Sequence, residues 1–448
     1  MEAVFGDHQT MRFLHTTRAF SAVCLTLSLA GGIYPAHAQT ASTHKSPPLS
    51  AADPARVGVS KERIGRIDAM LSDAVKSGSI PGVVALISRH GKIVYHKAYG
   101  MAVTEANRAE KPDDIFRIAS QSKAITATAV MMLWEQGKFQ LDDPISNYIP
   151  EFKNPQLLST YDDKTGEWTG TPARREITIR DLLTHTSGLG YGDIDGDARF
   201  RALYKKAGIA IAFSTEPITI AENVKRLAKL PLHHNPGEHF TYAMGLDVLG
   251  YLVEIVSGEP FDKYLQNHLF APLGMNDTGF YLPAEKASRL VAVQTPKGSG
   301  WGRFPTTFYD PDYPIKGSKS LFSGGGGLNS TAKDYATFLQ MHLNGGELNG
   351  VRILSRTTAE LMRTPQVPIE LYGPDSAFSL AFSVVTEKGA HKGGQGSAGT
   401  FGWGGYFNTQ YFADPKEGVI GIIMKQTQGG TDQTGWKFIQ MVTQMFDD

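Results

Sequence analysis

The chain has 448 residues and a formal net charge of zero, with 44 basic and 44 acidic side chains and no run of basic residues. That balance argues against nucleic acid as a partner. Beyond the N-terminal region no apolar run reaches the roughly 18 residues of a membrane span, so no span is expected.

Arg12 and Arg18 form a basic segment, Ala19 to Gly31 a short apolar core, and Ala36-His37-Ala38 a small-residue cleavage site before Gln39. This is the pattern of a secretory signal peptide, with Met11 as the start and residues 1–10 as upstream sequence. The mature protein is expected in the periplasm or medium, beginning near Gln39. The single cysteine, Cys24, falls inside the leader, so no disulfide is expected in the mature chain. Residues 39–55, rich in Ser, Thr and Pro, read as a linker.

Ile64 to Val75 has helical spacing and ends at Gly78. Residues 83–88 and 92–96 read as two strands of a hairpin around Arg89-His90-Gly91. The apolar run Ile115 to Ala119 leads into a helix over 124–136 that buries Ile125, Ala129, Met132 and Leu133, with Gly137 as its cap. The middle is helical: Thr178 to Asp181, Thr219 to Glu222 and Thr331 to Asp334 each have capping-box spacing, and Leu249, Leu252, Val253 and Val256 form an apolar stripe before Gly258. Residues 332–343 give a further helix. Strands return at 378–386, 401–405, 410–413 and 419–425, before a helix over 436–446. Strands at both ends and helices between predict an α+β fold: one antiparallel sheet from residues 56–120 and 320–448, flanked by helices, with a helical lobe from 121–319.

Ser120-Gln121-Ser122-Lys123 sits where that strand gives way to the helix. Residues three apart on a helix share a face, so the hydroxyl and the amine can meet. The helix start adds unpaired N–H groups where an oxyanion would develop. Ser-x-x-Lys alone is a weak pattern. Ser42-Thr43-His44-Lys45 and Ser330-Thr331-Ala332-Lys333 match it too, the first in the linker and the second at a helix cap. The chain has no Gly-x-Ser-x-Gly elbow, which argues against an α/β-hydrolase. His233-His234 and His391 lack ligand spacing, and Asp193, Asp195 and Asp197 lack the glycine and closing glutamate of a calcium loop. No metal or cofactor is expected, and the acidic loop reads as solvated.

Phe116 to Lys123, Ile179 to Leu189, Pro236-Gly237, Phe240-Thr241-Tyr242, Ala271 to Met275 and Ser323 to Leu328 follow one another in an order that resembles the β-lactamase-like serine hydrolases. These comprise class C β-lactamases, DD-peptidases and family VIII esterases. The likeness runs from about residue 64 to 446 and makes 56–448 one catalytic domain. It implies Ser120 as nucleophile, with Lys123 and Tyr242 as proton-transfer partners. Tyr242 occupies the place of the family's Tyr-x-Asn tyrosine, but Met244 replaces the asparagine. Where relatives carry Lys-Thr-Gly, this chain has Trp403-Gly404-Gly405, as in family VIII esterases. The resemblance also implies an oxyanion hole from the N–H groups of Ser120 and Tyr406, with Gly404 and Gly405 small enough for close substrate approach. His185 reads as a structural histidine, and Ser323 to Gly327 as a backbone turn near the cleft.

The expected activity is cleavage of a carboxylic ester through an acyl-enzyme on Ser120. Lys123 would have to be partly neutral, through burial and nearby positive groups, to take a proton. β-Lactam or D-alanyl peptide hydrolysis, and amide hydrolysis or acyl transfer on small molecules, are the alternatives. A non-catalytic penicillin-binding role fits poorly with intact Ser120, Lys123 and Tyr242.

Overall fold

The computed structural model describes residues 42–448; the expected signal peptide, its cleavage site and Cys24 lie outside the described residues. Helix α1 (Lys61–Lys76) starts at Ser60, whose hydroxyl accepts from the Arg63 N–H, and buries Ile67 and Leu71. Strands β2 (Gly82–Arg89) and β3 (Lys92–Val103) form the expected hairpin. Its turn residues His90 and Gly91 have φ of 50° and 73°, the left-handed pair that matches strand twist in a two-residue hairpin. β3 runs seven residues past the expected end at residue 96, because the half-buried His96 and the exposed Lys97 carry no apolar signal.

The C-terminal strands β9 (Phe401–Gly405), β10 (Thr409–Asp414) and β11 (Val419–Met424) lie where expected. The expected single strand at 378–386 is instead a hairpin of β7 (Ser376–Phe378) and β8 (Ser383–Val385). The chain reverses between Ser379 and Phe382, with Ala381 at φ 74°. Neither Gly nor Pro marks that turn, which is why the apolar run reads as continuous. With β1 (Ser50–Ala51) and β4 (Arg108–Ala109), nine strands among the described residues form one sheet in the order β1-β3-β2-β11-β10-β9-β8-β7, with β4 on β3. All pairs are antiparallel except β1 on β3. The sheet is thus built from both ends of the chain, as expected, with one short parallel edge inside the segment that reads as a linker.

Alternation along the strands sends residues to opposite faces. Val83, Ala85 and Ile87 of β2 and Phe412 of β10 pack against α1 and α7 (Thr434–Val442, whose label follows the helices below). Val84 and Leu86, with Ile420, Ile422 and Met424, face the larger core. The helices that carry that core include α2 (Ser122–Glu135), α3 (Ile179–Leu183), α4 (Ile220–Leu227), α5 (Gly245–Ser257) and α6 (Ala332–Leu343). α2 lies at its centre. It is buried on nearly every side rather than on one stripe, and Met132 is only half-buried. An all-round apolar helix belongs in an interior. The capping boxes of α3 and α4 form as expected. At α6 only half of one forms: Thr331 Oγ1 accepts from the Asp334 N–H, but the Asp334 carboxylate takes the Asp277 N–H at 2.8 Å and the Thr278 hydroxyl at 3.0 Å. A hairpin of residues 156–161 and 168–172 lies in the helical middle, its polar Ser and Thr content hiding it from an apolar count. No helix among the described residues is long and apolar enough to cross a membrane.

Candidate active site

The strand before Ser120 is short. β5 (Phe116–Arg117) pairs with β6 (Asn329–Ser330), and the Ile118 N–H continues to the Leu328 carbonyl at 3.1 Å. The buried Arg117 guanidinium anchors this segment by donating to the carbonyls of Val291 (2.6 Å) and Pro311. Ala119 then takes φ 45°, a left-handed conformation costly for alanine by about 1–3 kcal/mol. The following 3₁₀ turn, Ala119–Gln121, runs into α2. Ser120 therefore stands in the first turn, where backbone N–H groups have no intrahelical acceptor.

Lys123 is 2% exposed. Its ammonium donates to Ser120 Oγ (3.3 Å), Tyr191 Oη (2.9 Å) and the Gly325 carbonyl (2.6 Å), and lies 4.6 Å from the Tyr242 ring centre. Burial by itself disfavours its charge, but Tyr191 and Tyr242 outweigh that and hold its pKa above the ordinary lysine value. The expectation of a lysine made neutral by burial and positive neighbours is corrected here: its neighbours are two tyrosines, which favour the charged form. Burial pushes Tyr191 up to about 12 against the pull of Lys123, so Tyr191 stays a phenol near neutrality.

Tyr191 escaped the sequence reading. It lies between two glycines, just past the Thr184 to Leu189 stretch, and that local signal was available. Its ring stacks on Tyr242 at 5.3 Å and 17°. Asp195 pins its loop: the carboxylate accepts the Tyr191 N–H at 2.9 Å and bonds His233 Nε2 at 3.0 Å. Asp195 is thus buried rather than solvated, and His233, its partner, stacks on Phe200. His185 behaves as a structural residue. Its Nδ1 accepts from the Ala243 N–H at 3.2 Å, its ring lies 4.5 Å from that of Tyr242, and burial pushes its pKa well below the usual histidine value, keeping it neutral. Met244 turns into the core.

The Ser323 to Gly327 turn wraps the start of α2. Gly324 and Gly325 offer their carbonyls to Thr126 and Lys123, and a Cβ on Gly325 would meet the Asp247 carboxylate at 2.3 Å. Asp247, unnoticed in the sequence, bonds the Ser323 hydroxyl and the Gly325 N–H, fixing the carbonyl that receives Lys123.

β9 closes the other side. Trp403 Nε1 donates to Tyr242 Oη at 3.2 Å. A Cβ on Gly405 would come within 2.5 Å of the Ile118 carbonyl, so this glycine lets β9 approach the Ser120 turn. Its smallness serves this strand packing. Tyr406 follows directly, which brings its N–H to the end of β9 beside that turn. Ser120, Lys123, Tyr242, Trp403, Gly404, Gly405 and Tyr406 are all brought to this one place. Ser120, Tyr191, Tyr242, Trp403, Gly404, Gly405 and Tyr406 line a cavity of about 570 Å³, together with Ile211, Ala212, Phe213 and Tyr372. Among the described residues, none that lines it is Asp, Glu, Lys, Arg or His. The loop 297–319 shapes the cavity indirectly, since Tyr309 and Tyr313 pack on Phe213.

A half-buried hydroxyl beside a buried lysine and two tyrosines, on a helix start in an apolar cavity, is an arrangement suited to acyl transfer. Comparison with known proteins agrees in class. The family model described as Beta-lactamase matches residues 67–443. Protein Rv1367c of Mycobacterium tuberculosis is 34% identical over 373 residues, 80% of this chain and 88% of that protein. Esterase EstB of Burkholderia gladioli is 32% identical over 383 residues, 81% of this chain and 90% of the esterase. Among solved structures, EstCE1, described as a hydrolase with promiscuous acyltransferase activity, superposes with a TM-score of 0.74 at 27% identity, covering 86% of this chain and 98% of its own. The chain belongs to the β-lactamase family and is a serine hydrolase of the β-lactamase fold.

Proposed function

We propose that this protein is a secreted carboxylesterase in which Ser120 forms a covalent acyl-enzyme. Ser120 Oγ attacks the ester carbonyl as its proton passes to Tyr242, which acts in the tyrosinate form that the adjacent Lys123 ammonium stabilises. The N–H groups of Ser120 and Tyr406 receive the oxyanion. Collapse breaks the bond to the alcohol oxygen, which leaves with the proton from Tyr242. Water then attacks the acyl group, gives its proton to Tyr242, and the acid departs as Ser120 regains its hydrogen. Tyr191 and Gly325 hold Lys123 in place throughout, and Trp403 orients Tyr242.

The observation that carries the ester reading is the absence of Asp, Glu, Lys, Arg and His among the described residues lining the cavity. β-Lactams and D-alanyl peptides carry a carboxylate, and a charge-assisted hydrogen bond to one is worth about 1.5–3 kcal/mol. The ammonium beside Ser120, that of Lys123, is committed to Tyr191 and Gly325. A neutral ester makes no such demand, and Trp403 offers its alkyl part an apolar wall. Esterase EstB supports the same reading. The test is kcat/KM for p-nitrophenyl butyrate against nitrocefin on one preparation. The ester should win by at least about tenfold, since 1.4 kcal/mol is a factor of ten. A preference for nitrocefin would transfer the assignment to β-lactam hydrolysis. Secretion is checked separately: intact mass of the exported protein should place the N-terminus at Gln39.

A further inference from the structure

The cavity at Ser120 does not end at Trp403. Its lining also includes Val385, Gln395, Thr400, Gly402, Gln410, Phe412, Trp436 and Ile439. Phe412 and Ile439 belong to the core on the other face of the sheet, between the strands and α7. Two features of β9 make that continuity possible. β8 pairs only with Phe401 and Gly402, so the edge of β9 is uncovered from Trp403 onward. On the α7 side of β9 the residues are Gly402 and Gly404, which leave bare backbone where side chains would otherwise fill the space. A Cβ on Gly402 would meet the Tyr411 carbonyl at 2.5 Å and one on Gly404 the Thr409 carbonyl at 3.3 Å, so β10 packs too closely for side chains here and the cavity is lined by bare backbone. Trp436 closes the far end and is 57% exposed, while Ile194 marks the opposite rim at 39%. Both are among the few large apolar side chains this exposed, and both border this cavity.

We infer that this second compartment, floored by Gly402 and Gly404 and walled by Val385, Ile439 and Trp436, binds the hydrocarbon arm of the ester's alcohol. The inference rests on the ester reading above. The direction follows from the proton path: Tyr242, which protonates the leaving oxygen, is held by Trp403 on β9, so the alcohol departs along β9, toward Gly404 and α7. Substrates with an alkyl alcohol of six or more carbons would reach Trp436, whereas an ethyl group would not.

Because Trp436 is exposed, Trp436→Ala and Trp436→Arg should fold normally. The measurement is kcat/KM by pH-stat for hexyl acetate and ethyl acetate, with p-nitrophenyl acetate and p-nitrophenyl hexanoate as an acyl-side pair. Both variants should lower the hexyl-to-ethyl ratio about five- to tenfold, the scale of losing some 40–60 Å² of apolar contact. Ethyl acetate and the acyl-side ratio should stay within about twofold of wild type. An unchanged hexyl-to-ethyl ratio, or equal losses on both acetates, overturns the subsite while leaving the esterase reading intact. A fall confined to the hexanoate-to-acetate ratio overturns the assignment to the alcohol and gives the compartment to the acyl chain. Failure of the wild-type protein to cleave any of these esters overturns the esterase reading, and this one with it.

Discussion

Ser120 and Ser330 each precede a lysine by three residues, and they lie close together, because Phe116 pairs with Ser330 and Arg117 with Asn329 across β5 and β6. At Ser120 the chain is already helical, in a turn that runs into α2, so Lys123 returns to the same face and reaches the hydroxyl at 3.3 Å. At Ser330 the chain is still extended. Thr331 is the cap of α6, so the same spacing straddles the helix start; Lys333 is exposed, and Ser330 Oγ bonds the Thr278 hydroxyl at 2.8 Å. Ser42, the third match, accepts from the His44 N–H and from Arg352. The pattern makes a nucleophile with a charged partner only where helical geometry spans both of its ends.

That contrast is open to direct attack. The largest effect should come from Ser120→Ala, which is expected to abolish labelling by a fluorophosphonate and to lower ester turnover by at least about a thousandfold. Ser330→Ala and Ser42→Ala should keep both; loss of labelling in either would reverse the comparison. Next in size are the partners. Tyr242→Phe and Lys123→Ala should each reduce kcat by about 10²–10⁴-fold, the range for positioned proton transfer, and the double variant should be scarcely worse than the worse single one. Tyr191→Phe should cost less, since Tyr191 positions the ammonium rather than carrying a proton. Circular dichroism on each variant separates lost chemistry from lost fold.

The protonation state of Lys123 gives a sharper test. With its pKa raised by two tyrosines, the ammonium persists across about pH 6–10, so no limb of the kcat/KM profile in that range should belong to lysine losing a proton. Lys123→Arg, permanently charged, should retain measurably more turnover than Lys123→Ala. Equal inactivation of both, together with an acidic limb that disappears in the variants, would instead make Lys123 a neutral base. The smallest effects belong to the second site. Ser330→Ala should lower stability by about 1 kcal/mol for its lost buried hydrogen bond, and Lys333→Ala should change it by no more than about 0.5 kcal/mol, both read from urea midpoints with activity unchanged.

The sequence by itself determined the elements whose signals are local. The β2–β3 turn, the capping boxes at Thr178 and Thr219, the stripe of α5 and the strands β9 to β11 are written in neighbouring residues, and the helix start at Ser120 is enough to single it out beside Lys123. Met244 and Trp403 were equally visible as departures from a family pattern. Tertiary structure decided what depends on residues far apart in the chain. The reversal between β7 and β8 carries no turn residue and is fixed by pairing with β9. Tyr191 acquires its part only because the Asp195 carboxylate folds its loop over Lys123, and α2 loses its expected one-sided face because sheet and helices enclose it. The charge of Lys123 is a balance between burial and two tyrosines 68 and 119 residues further along, so spacing could not set it. The same holds for the cavity: its neutrality and its passage over Gly402 and Gly404 are sums over side chains from many elements, and no local pattern encodes a sum of that kind.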